Sequence, residues 1–220
     1  MDSEGDARSP EAPPGVTAIP VGPEDAGPAR TRRSRKRDER RDKVYASAVA
    51  LFVERGFEET SMDDVAARAE LSRTTVFNHF PRKVAFLEEW SLRRRQKAAH
   101  SFDQQGASSR PLRQVLEGYF AALADLNVRT RSETSALMGT ALRHSDTLLG
   151  HTLGRDLADL VAASDARLRP SADPTQVGRL LALGYYSAVV RWIHVDPAPF
   201  RLDLELSGLL DTVLSGALDE

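Results

Sequence analysis

Apolar residues recur at intervals of three and four along most of the chain beyond about residue 43, which is the spacing of one face of an α-helix. Runs of alternating Val, Ile and Thr, the pattern of half-buried strands, are missing, and Gly and Pro separate the helical segments. The pattern predicts an all-α protein of about nine helices. Four are expected up to about residue 102, and five beyond it, near 112–128, 132–145, 147–169, 174–194 and 202–217.

The first helix is expected to end at Gly56 and to bury one apolar face formed by Val44, Ala48, Leu51 and Phe52. Two short helices follow. Ser61 and Asp64 form a variant of the capping box at the start of the helix from 62 to 69.

Ser72 is a suitable N-cap for the third helix, and Pro81 forces the residue before it out of the helical region. Two short helices joined by a tight turn predict a helix-turn-helix, whose second helix enters the major groove of DNA.

The net charge of −2 conceals an uneven distribution. Residues 1–29 carry one Arg against six acids and are rich in Pro, Gly and Ala, so we expect a disordered tail. Residues 30–100 carry 18 Lys and Arg against 11 acids, and nine of these cations lie in the basic run 30–43. Residues 101–220 carry 11 cations against 15 acids. This division is typical of a nucleic-acid binder with a separate second half, and chance clustering of surface charge is the alternative.

Several classes of protein are disfavoured by composition. There is no Cys, which excludes disulfides and thiolate chemistry. No apolar run is long enough to cross a membrane and the N-terminus lacks the apolar block of a signal peptide, so a cytoplasmic protein without a membrane partner is expected. The nucleophile, phosphate-loop and zinc-protease motifs of common enzymes are also missing, so we expect neither catalysis nor a cofactor.

The third helix carries an unusual number of hydrogen-bonding side chains. Arg bonds guanine, Asn bonds adenine, and Thr and aromatic side chains suit the thymine methyl or the sugar edge. We therefore expect base contacts from Arg73, Thr74, Thr75, Phe77 and Asn78. The phosphate contacts are expected from His79, Lys83, Thr60 and Ser61, where helix N-termini add to the cationic attraction.

The segment ALFVERGFEETSMDDVAARAELSRTTVFNHFPRK, residues 50–83, resembles the DNA-binding domain of the TetR family of bacterial one-component regulators. The shared features are Gly-aromatic after the first helix, Thr-Ser before the second, Leu-Ser at the turn and aromatic-x-His-Phe-Pro-x-Lys at the end of the third. The resemblance implies base or sugar-phosphate contacts by Thr75 and Phe77, and phosphate contacts by His79, Lys83, Thr60 and Ser61. Asp63 and Arg73 lie at positions that touch bases in some members of the family. Glu70 departs from the family, which commonly has Gly in this turn.

The resemblance also implies a homodimer on a palindromic operator, held by the last two helices. One apolar stripe consists of Val177, Leu181, Gly184, Ala188 and Trp192, and the other of Leu206, Leu209, Leu210, Val213 and Ala217. Small Gly184 and Ala188 permit close helix approach. The alternative is that both stripes belong to the core of the single chain.

A ligand cavity in the second half is a further implication of the resemblance, and Phe120, Met138 and His151 are its candidate residues. Aromatic and Met positions at helical spacing equally suit a packed core. His144 and His151 lie two helical turns apart, too far to share a metal ion without a third element, so no metal site is expected.

The sequence thus predicts three regions: a tail with a basic arm around Arg32 to Arg37 (1–36), a helix-turn-helix DNA-binding domain (37–83), and a helical ligand-binding and dimerisation domain (84–220) that begins with a connecting helix, 84–102. The function expected is a homodimeric repressor released from its operator by a small, largely apolar ligand. The alternative is a helical protein-interaction module without sequence-specific DNA binding.

Overall fold

The computed structural model describes residues 32–103, 110–144 and 152–219, and within these ranges the backbone forms nine α-helices and no strand. They are α1 (Arg32–Arg55), α2 (Met62–Ala69), α3 (Arg73–His79), α4 (Ala85–Asp103), α5 (Leu112–Arg129), α6 (Arg131–His144), α7 (Thr152–Ala162), α8 (Pro174–His194) and α9 (Leu202–Ala217). The expected all-α class is confirmed. None of these helices is long and apolar enough to cross a membrane, within the part of the chain that is described.

The two short helices begin and end where their capping residues predict. The Ser61 hydroxyl accepts the Asp64 N–H at 3.1 Å, and the Asp64 carboxylate accepts the Ser61 N–H at 2.8 Å, which completes a capping box. Ser72 caps α3 by accepting the Thr75 N–H at 3.2 Å. Phe80 ends α3 in an extended conformation because it precedes Pro81.

The helices α1, α2 and α3 enclose one apolar core, to which α1 contributes most. Its buried members are Val44, Ala48, Leu51, Phe52, Phe57, Val65, Ala66, Ala69, Val76 and Phe80. Within α3, all of which is described, Val76 is the one buried residue. The other side chains of α3 therefore lie wholly or partly at the surface.

The second half is built around α8, which packs against α6, α7 and α9. Two glycines permit the closest approach: a Cβ added to Gly178 would lie 2.3 Å from the carbonyl oxygen of Gly154 and 2.6 Å from the nitrogen of Ala158. On the side toward α9, a Cβ added to Gly184 would lie 2.4 Å from the Leu209 side chain. The close approach expected at Gly184 is therefore present, and it is a contact within one chain.

The two apolar stripes of α8 and α9 serve mainly the core of the single chain. Val177, Leu181, Ala188 and Trp192 are buried, as are Leu206, Leu210 and Ala217. Leu209 and Val213 are partly buried against the same core. Most positions of the stripes thus pack within the single chain, whereas pairing of these helices with a second copy stays a prediction.

Two boundaries differ from the expectation. The helix expected over 147–169 is described only as α7, which ends at Ala162. Residues 167–169 instead pair with the end of α9. The Arg169 N–H donates to the Ala217 carbonyl at 2.9 Å, and the Asp219 N–H donates to the Arg167 carbonyl at 3.0 Å. At the other end, α1 already includes the residues from Arg32, so that the described part of the basic arm is helical.

Candidate nucleic-acid interface and internal cavity

The outer face of α3 carries the side chains expected to contact bases. Arg73, Thr74 and Asn78 are exposed, and Thr75 and Phe77 are half-buried. The hydroxyls of Ser72 and Thr75 lie 2.8 Å apart, so the N-cap also orients Thr75. Val76 alone anchors α3 in the core, so its polar outer face is free to enter a DNA groove while the domain stays folded.

Arg73 is already engaged by two neighbours. Its Nη1 donates to Asp63 at 3.1 Å, and its guanidinium lies 5.3 Å from the centre of the Phe77 ring. Both members of the ion pair are well exposed, and such pairs contribute little to stability. Exchange of Asp63 for a guanine edge therefore costs little.

Thr60 and Ser61 have structural roles at the start of α2. Thr60 is only 1% exposed, and its hydroxyl donates to the Gly56 carbonyl at 2.9 Å. The Ser61 hydroxyl donates to Asp64 at 2.6 Å within the capping box. These hydroxyls are occupied, and the helix N-terminus that they shape carries the positive end of the helix dipole. Phosphate contact by either residue stays a prediction.

Lys83 also makes contacts within the chain. Its ammonium donates to the carbonyls of Phe57 at 2.8 Å and Glu58 at 3.3 Å and lies 4.4 Å from the centre of the Phe57 ring. It thereby fixes the loop that leads into α2. An ammonium has three N–H donors, so a phosphate contact is compatible with these bonds.

His79 at the end of α3 is half-buried. Burial lowers the pKa of its imidazole below the ordinary value of 6.5, and the charges of Arg41, Arg37 and Arg40 lower it further. In the free chain this shift favours the neutral form of the ring, and phosphate contact by His79 stays a prediction.

Arg41 is a functional candidate that the sequence did not reveal, because it lies in a basic run typical of a solvated arm. Its Nη1 donates to the His79 carbonyl at 2.8 Å, and its Nη2 donates to Glu89 of α4 at 2.6 Å. The guanidinium also lies 4.3 Å from the centre of the Phe80 ring. Arg41 thus joins the end of α3 to the connecting helix.

Arg93 makes a second junction between α1 and α4. Its guanidinium donates to Glu89 at 2.7 Å and to Asp42 at 2.6 Å, and it lies 4.1 Å from the centre of the Tyr45 ring. Burial of Glu89 opposes its ionisation, but the hydrogen bonds from Arg41 and Arg93 outweigh it, so the pKa of Glu89 lies below its ordinary value. The carboxylate is charged at pH 7 and holds both arginines.

An internal cavity lies between α4 and the helices of the second half, with a free volume of about 20 Å³. Its lining comes from five helices: Trp90, Ser91, Arg94, Arg95, Leu123, Met138, Ala141, Leu153, Tyr185 and Tyr186. This volume is room for about one water molecule. A larger ligand therefore requires the lining helices to move apart.

The three candidate ligand residues have different places. Met138 lines the cavity. Phe120 is buried and packs edge-on against Tyr185, whose centre lies 6.0 Å away, so it supports a lining residue. His151 lies outside the described residues.

His144 lies at the end of α6, where its ring packs at a tilt against Phe57, with 5.4 Å between centres, and its Nε2 lies 3.5 Å from a Glu58 oxygen. Among the residues described, no group of three or more metal-type ligands comes together. His144 instead contacts the loop that precedes α2.

Comparison with known proteins gives consistent results. Residues 44–90 match the family model of bacterial regulatory proteins of the TetR family. Over 48 residues the chain is 40% identical to the HTH-type transcriptional activator FasR of Mycolicibacterium smegmatis, a match that spans 22% of this chain and only 22% of that relative.

Two solved structures share the fold over most of their length. FadR of Thermus thermophilus, a TetR-family transcriptional repressor solved in complex with lauroyl-CoA, has a TM-score of 0.64 and 26% identity over 82% of this chain and 96% of that one. NalD of Pseudomonas aeruginosa, the secondary repressor of a multidrug efflux pump, has a TM-score of 0.58 and 22% identity over 84% of this chain and 99% of its own, which is a likeness of fold.

Proposed function

We propose that the chain, whose residues 44–90 match the model of the TetR family of bacterial regulatory proteins, is a homodimeric repressor that binds a palindromic operator in the cytoplasm. It leaves the operator when a small, largely apolar ligand binds in the second half. The observation that carries the proposal is the outer face of α3, where polar and aromatic side chains surround a single buried Val76. The protein acts by binding rather than by catalysis.

DNA recognition divides between two groups of residues. Thr75, Phe77 and Asn78, with Arg73 once it leaves Asp63, read base edges in the major groove. The start of α2, His79 and Lys83 hold the phosphates on either side, and the cations of α1 from Arg32 onward add non-specific attraction.

Two copies of the domain are required because one short helix makes few base contacts. A two-fold pair reads half-sites about 34–36 Å apart on the duplex. The face that supports pairing is the exposed side of α8 and α9, which carries Leu180, Leu183, Val190 and Leu204. The first three recur at intervals of three and seven and so share one face of α8.

Release by a ligand requires that the ligand favour one arrangement of the two DNA-binding domains over the other. The cavity suits this role, because its lining includes α4 and because α4 is bonded to α1 through Glu89 and Arg93. The FadR structure, with lauroyl-CoA bound, supports a ligand with an apolar chain. FadR and NalD are repressors, and FasR is an activator. We choose repression because FadR and NalD share the fold over most of the chain, whereas the FasR match spans 48 residues.

The test is a gel-shift series with operator and random duplexes, for the wild type and for Thr75→Ala and Lys83→Ala. Thr75→Ala is expected to reduce the preference for the operator, whereas Lys83→Ala is expected to weaken binding to all sequences. The salt dependence then separates two causes for Lys83. A slope lower by about one identifies a phosphate contact, and an unchanged slope identifies loss of the loop contacts to Phe57 and Glu58.

The alternative, a protein-interaction module, gives a different result in the same experiment. Such a module shows almost no affinity for duplex DNA and no steep loss of affinity as salt rises. Wild-type protein with that behaviour would contradict the proposed function.

A further inference from the structure

Two consecutive arginines of α4, Arg94 and Arg95, are buried between the helices, with only 6% and 9% of their surface exposed. Arginine is rarely buried unless it is fully paired, because the removal of a charge from water is costly. Both side chains line the internal cavity. Their hydrogen bonds therefore bear on which ligand the cavity could accept.

Arg94 is satisfied at its two terminal nitrogens and not at Nε. Nη1 donates to Thr130 at 2.9 Å, and Nη2 donates to Asn127 at 2.7 Å and to Thr134 at 3.1 Å. Glu133 lies 3.6 Å from Nη1, and its carboxylate accepts the Trp90 indole N–H at 2.6 Å. The Nε–H has no acceptor in the described part of the chain.

Arg95 also has an Nε–H without an acceptor among the described residues. Its Nη1 donates to Asp156. The fully buried hydroxyl of Tyr119 is the third buried side-chain atom without a described partner. Native structures contain few such atoms, and three in one region require an explanation.

Apart from Ser91, the rest of the cavity lining is aromatic and aliphatic, with Trp90, Leu123, Met138 and Leu153 among its members. The acidic residues that lie against these two arginines already accept hydrogen bonds, Asp156 from Arg95 and Glu133 from Trp90. Two unused N–H donors on cations thus belong to residues of a largely apolar cavity lining, and they suit an acceptor that the described part of the chain does not supply.

We propose that the ligand is a small organic anion whose oxyanion group accepts the Nε–H of Arg94 and of Arg95, while its apolar body lies against Met138, Leu123 and Leu153. This inference rests on the proposed function and makes its ligand more specific. Hydrogen bonds to a charged acceptor are the strong ones, so the anionic group fixes the orientation of the ligand. Carboxylates and phosphate monoesters share this chemistry.

An acyl thioester is distinguished from these anions by its charge. The acyl end of an acyl-CoA carries a neutral thioester, and its charged groups lie on the nucleotide part. An acyl chain inserted alone would leave both Nε–H groups without a charged acceptor. The anionic proposal thus differs from simple transfer of the lauroyl-CoA seen in FadR.

The experiment is calorimetric titration of the full-length protein with octanoate, octyl phosphate, 1-octanol and octanoyl-CoA. One or both of the first two are expected to bind at least about tenfold more tightly than 1-octanol, which has the same chain without the charge. Trp90 lines the cavity, so a change in tryptophan fluorescence on binding provides a second readout.

Two variants assign the preference to Arg95. Arg95→Met with Asp156→Leu removes both members of the buried ion pair, so that no unpaired charge is left. Arg95→Lys keeps the charge opposite Asp156 and lacks the Nε–H, and it serves if the double variant does not fold. Both are expected to lose most of the preference for anion over alcohol. Arg93→Met is the matched control on the same helix, since Arg93 bonds Glu89 and Asp42, and it should keep the preference.

Equal binding of octanoate, octyl phosphate and 1-octanol, tighter binding of octanoyl-CoA than of either anion, or no binding of the anions overturns the inference. A preference for the anions that survives both Arg95 variants also overturns it. Gel shifts without ligand separate the two proposals: operator binding without anion binding leaves the proposed function intact, and anion binding without DNA binding contradicts the proposed function alone.

Discussion

At the scale of single residues, Glu70 shows how the helix-turn-helix meets a geometric demand with an unfavourable residue. It lies in the left-handed region, at φ 53° and ψ 41°, where it ends α2. Its N–H and that of Leu71 bond back to the carbonyls of Ala67 and Ala66, both at 3.1 Å. Glycine adopts this conformation without strain, whereas a residue with Cβ does so at a cost.

Glu70→Gly is expected to raise the free energy of unfolding by about 0.5–1 kcal/mol, because it relieves the left-handed strain at the expense of some unfolded-state entropy. The measurement is urea unfolding followed by circular dichroism. Glu70→Ala is the matched control: it loses the exposed contact with Lys43, which is 3.0 Å long, but keeps the Cβ. Equal midpoints for the two variants would show that the turn is not strained.

The residues of the α3 surface could be predicted from sequence, because a short helix with one aliphatic anchor must present its other side chains outward. The occupied hydroxyl of Thr60 and the loop contacts of Lys83 could not. Both depend on carbonyl groups of residues 56–58, whose positions follow from the complete fold. For the same reason the contact of Arg41 with His79, 38 residues away, left no local signal.

At the scale of the helices, α7 and α8 cross with their backbones in close contact. Gly154 and Gly178 face each other there, and the backbone of each helix replaces the side chain of the other. A contact between backbones has no flexible group that can move aside, so it fixes the distance between the two helix axes.

Gly178→Ala is expected to lower the free energy of unfolding by about 1–3 kcal/mol, because the new methyl would overlap the Gly154 carbonyl and the Ala158 nitrogen. Thermal denaturation should show a fall of roughly 2–4 °C per kcal/mol for a chain of this size. Gly139→Ala in α6 is the control, since its nearest contact is an ordinary 3.6 Å to Arg143. An unchanged melting temperature for Gly178→Ala would refute the close crossing.

Apolar spacing and capping residues predicted that the helices exist, but they did not predict that α7 ends at Ala162. The residues after Ala162 retain helical spacing in sequence, yet Arg167 to Arg169 pair with the end of α9 instead. This pairing joins segments about fifty residues apart, and periodicity within one segment carries no information about it. The stripes of α8 and α9 were ambiguous for a related reason, since a core face and a dimer face look alike in sequence.

At the scale of the whole molecule, apolar side chains remain exposed on α8 and α9 after the core is complete. Leu183 is 54% exposed, and Leu180, Val190 and Leu204 are also exposed. Arg191 follows Val190 on α8, Glu205 follows Leu204 on α9, and the two side chains form an ion pair that joins the helices. A face of this kind supports association between copies, as the proposed operator binding requires.

Leu183→Arg is expected to raise the dissociation constant of the dimer at least about 100-fold, because an unpaired charge buried in an interface costs about 3–5 kcal/mol. Sedimentation velocity over a range of concentrations measures the change. Val128→Arg on α5 is the matched control, because Val128 is 55% exposed and lies on another helix. If both variants remain dimeric, the pairing face lies elsewhere.

The run Arg93-Arg94-Arg95 places the joint to the DNA-binding domain and the two cavity cations on one turn of α4. Within the chain the three arginines bond different residues, so Arg93 can be retained while Arg94 or Arg95 is exchanged. Under the proposed function, a lineage that replaced Arg94 or Arg95 but retained Arg93 would change the preferred ligand and keep the bonds of α4 to α1. The evolution of sensing in this chain can therefore proceed by steps as small as one codon.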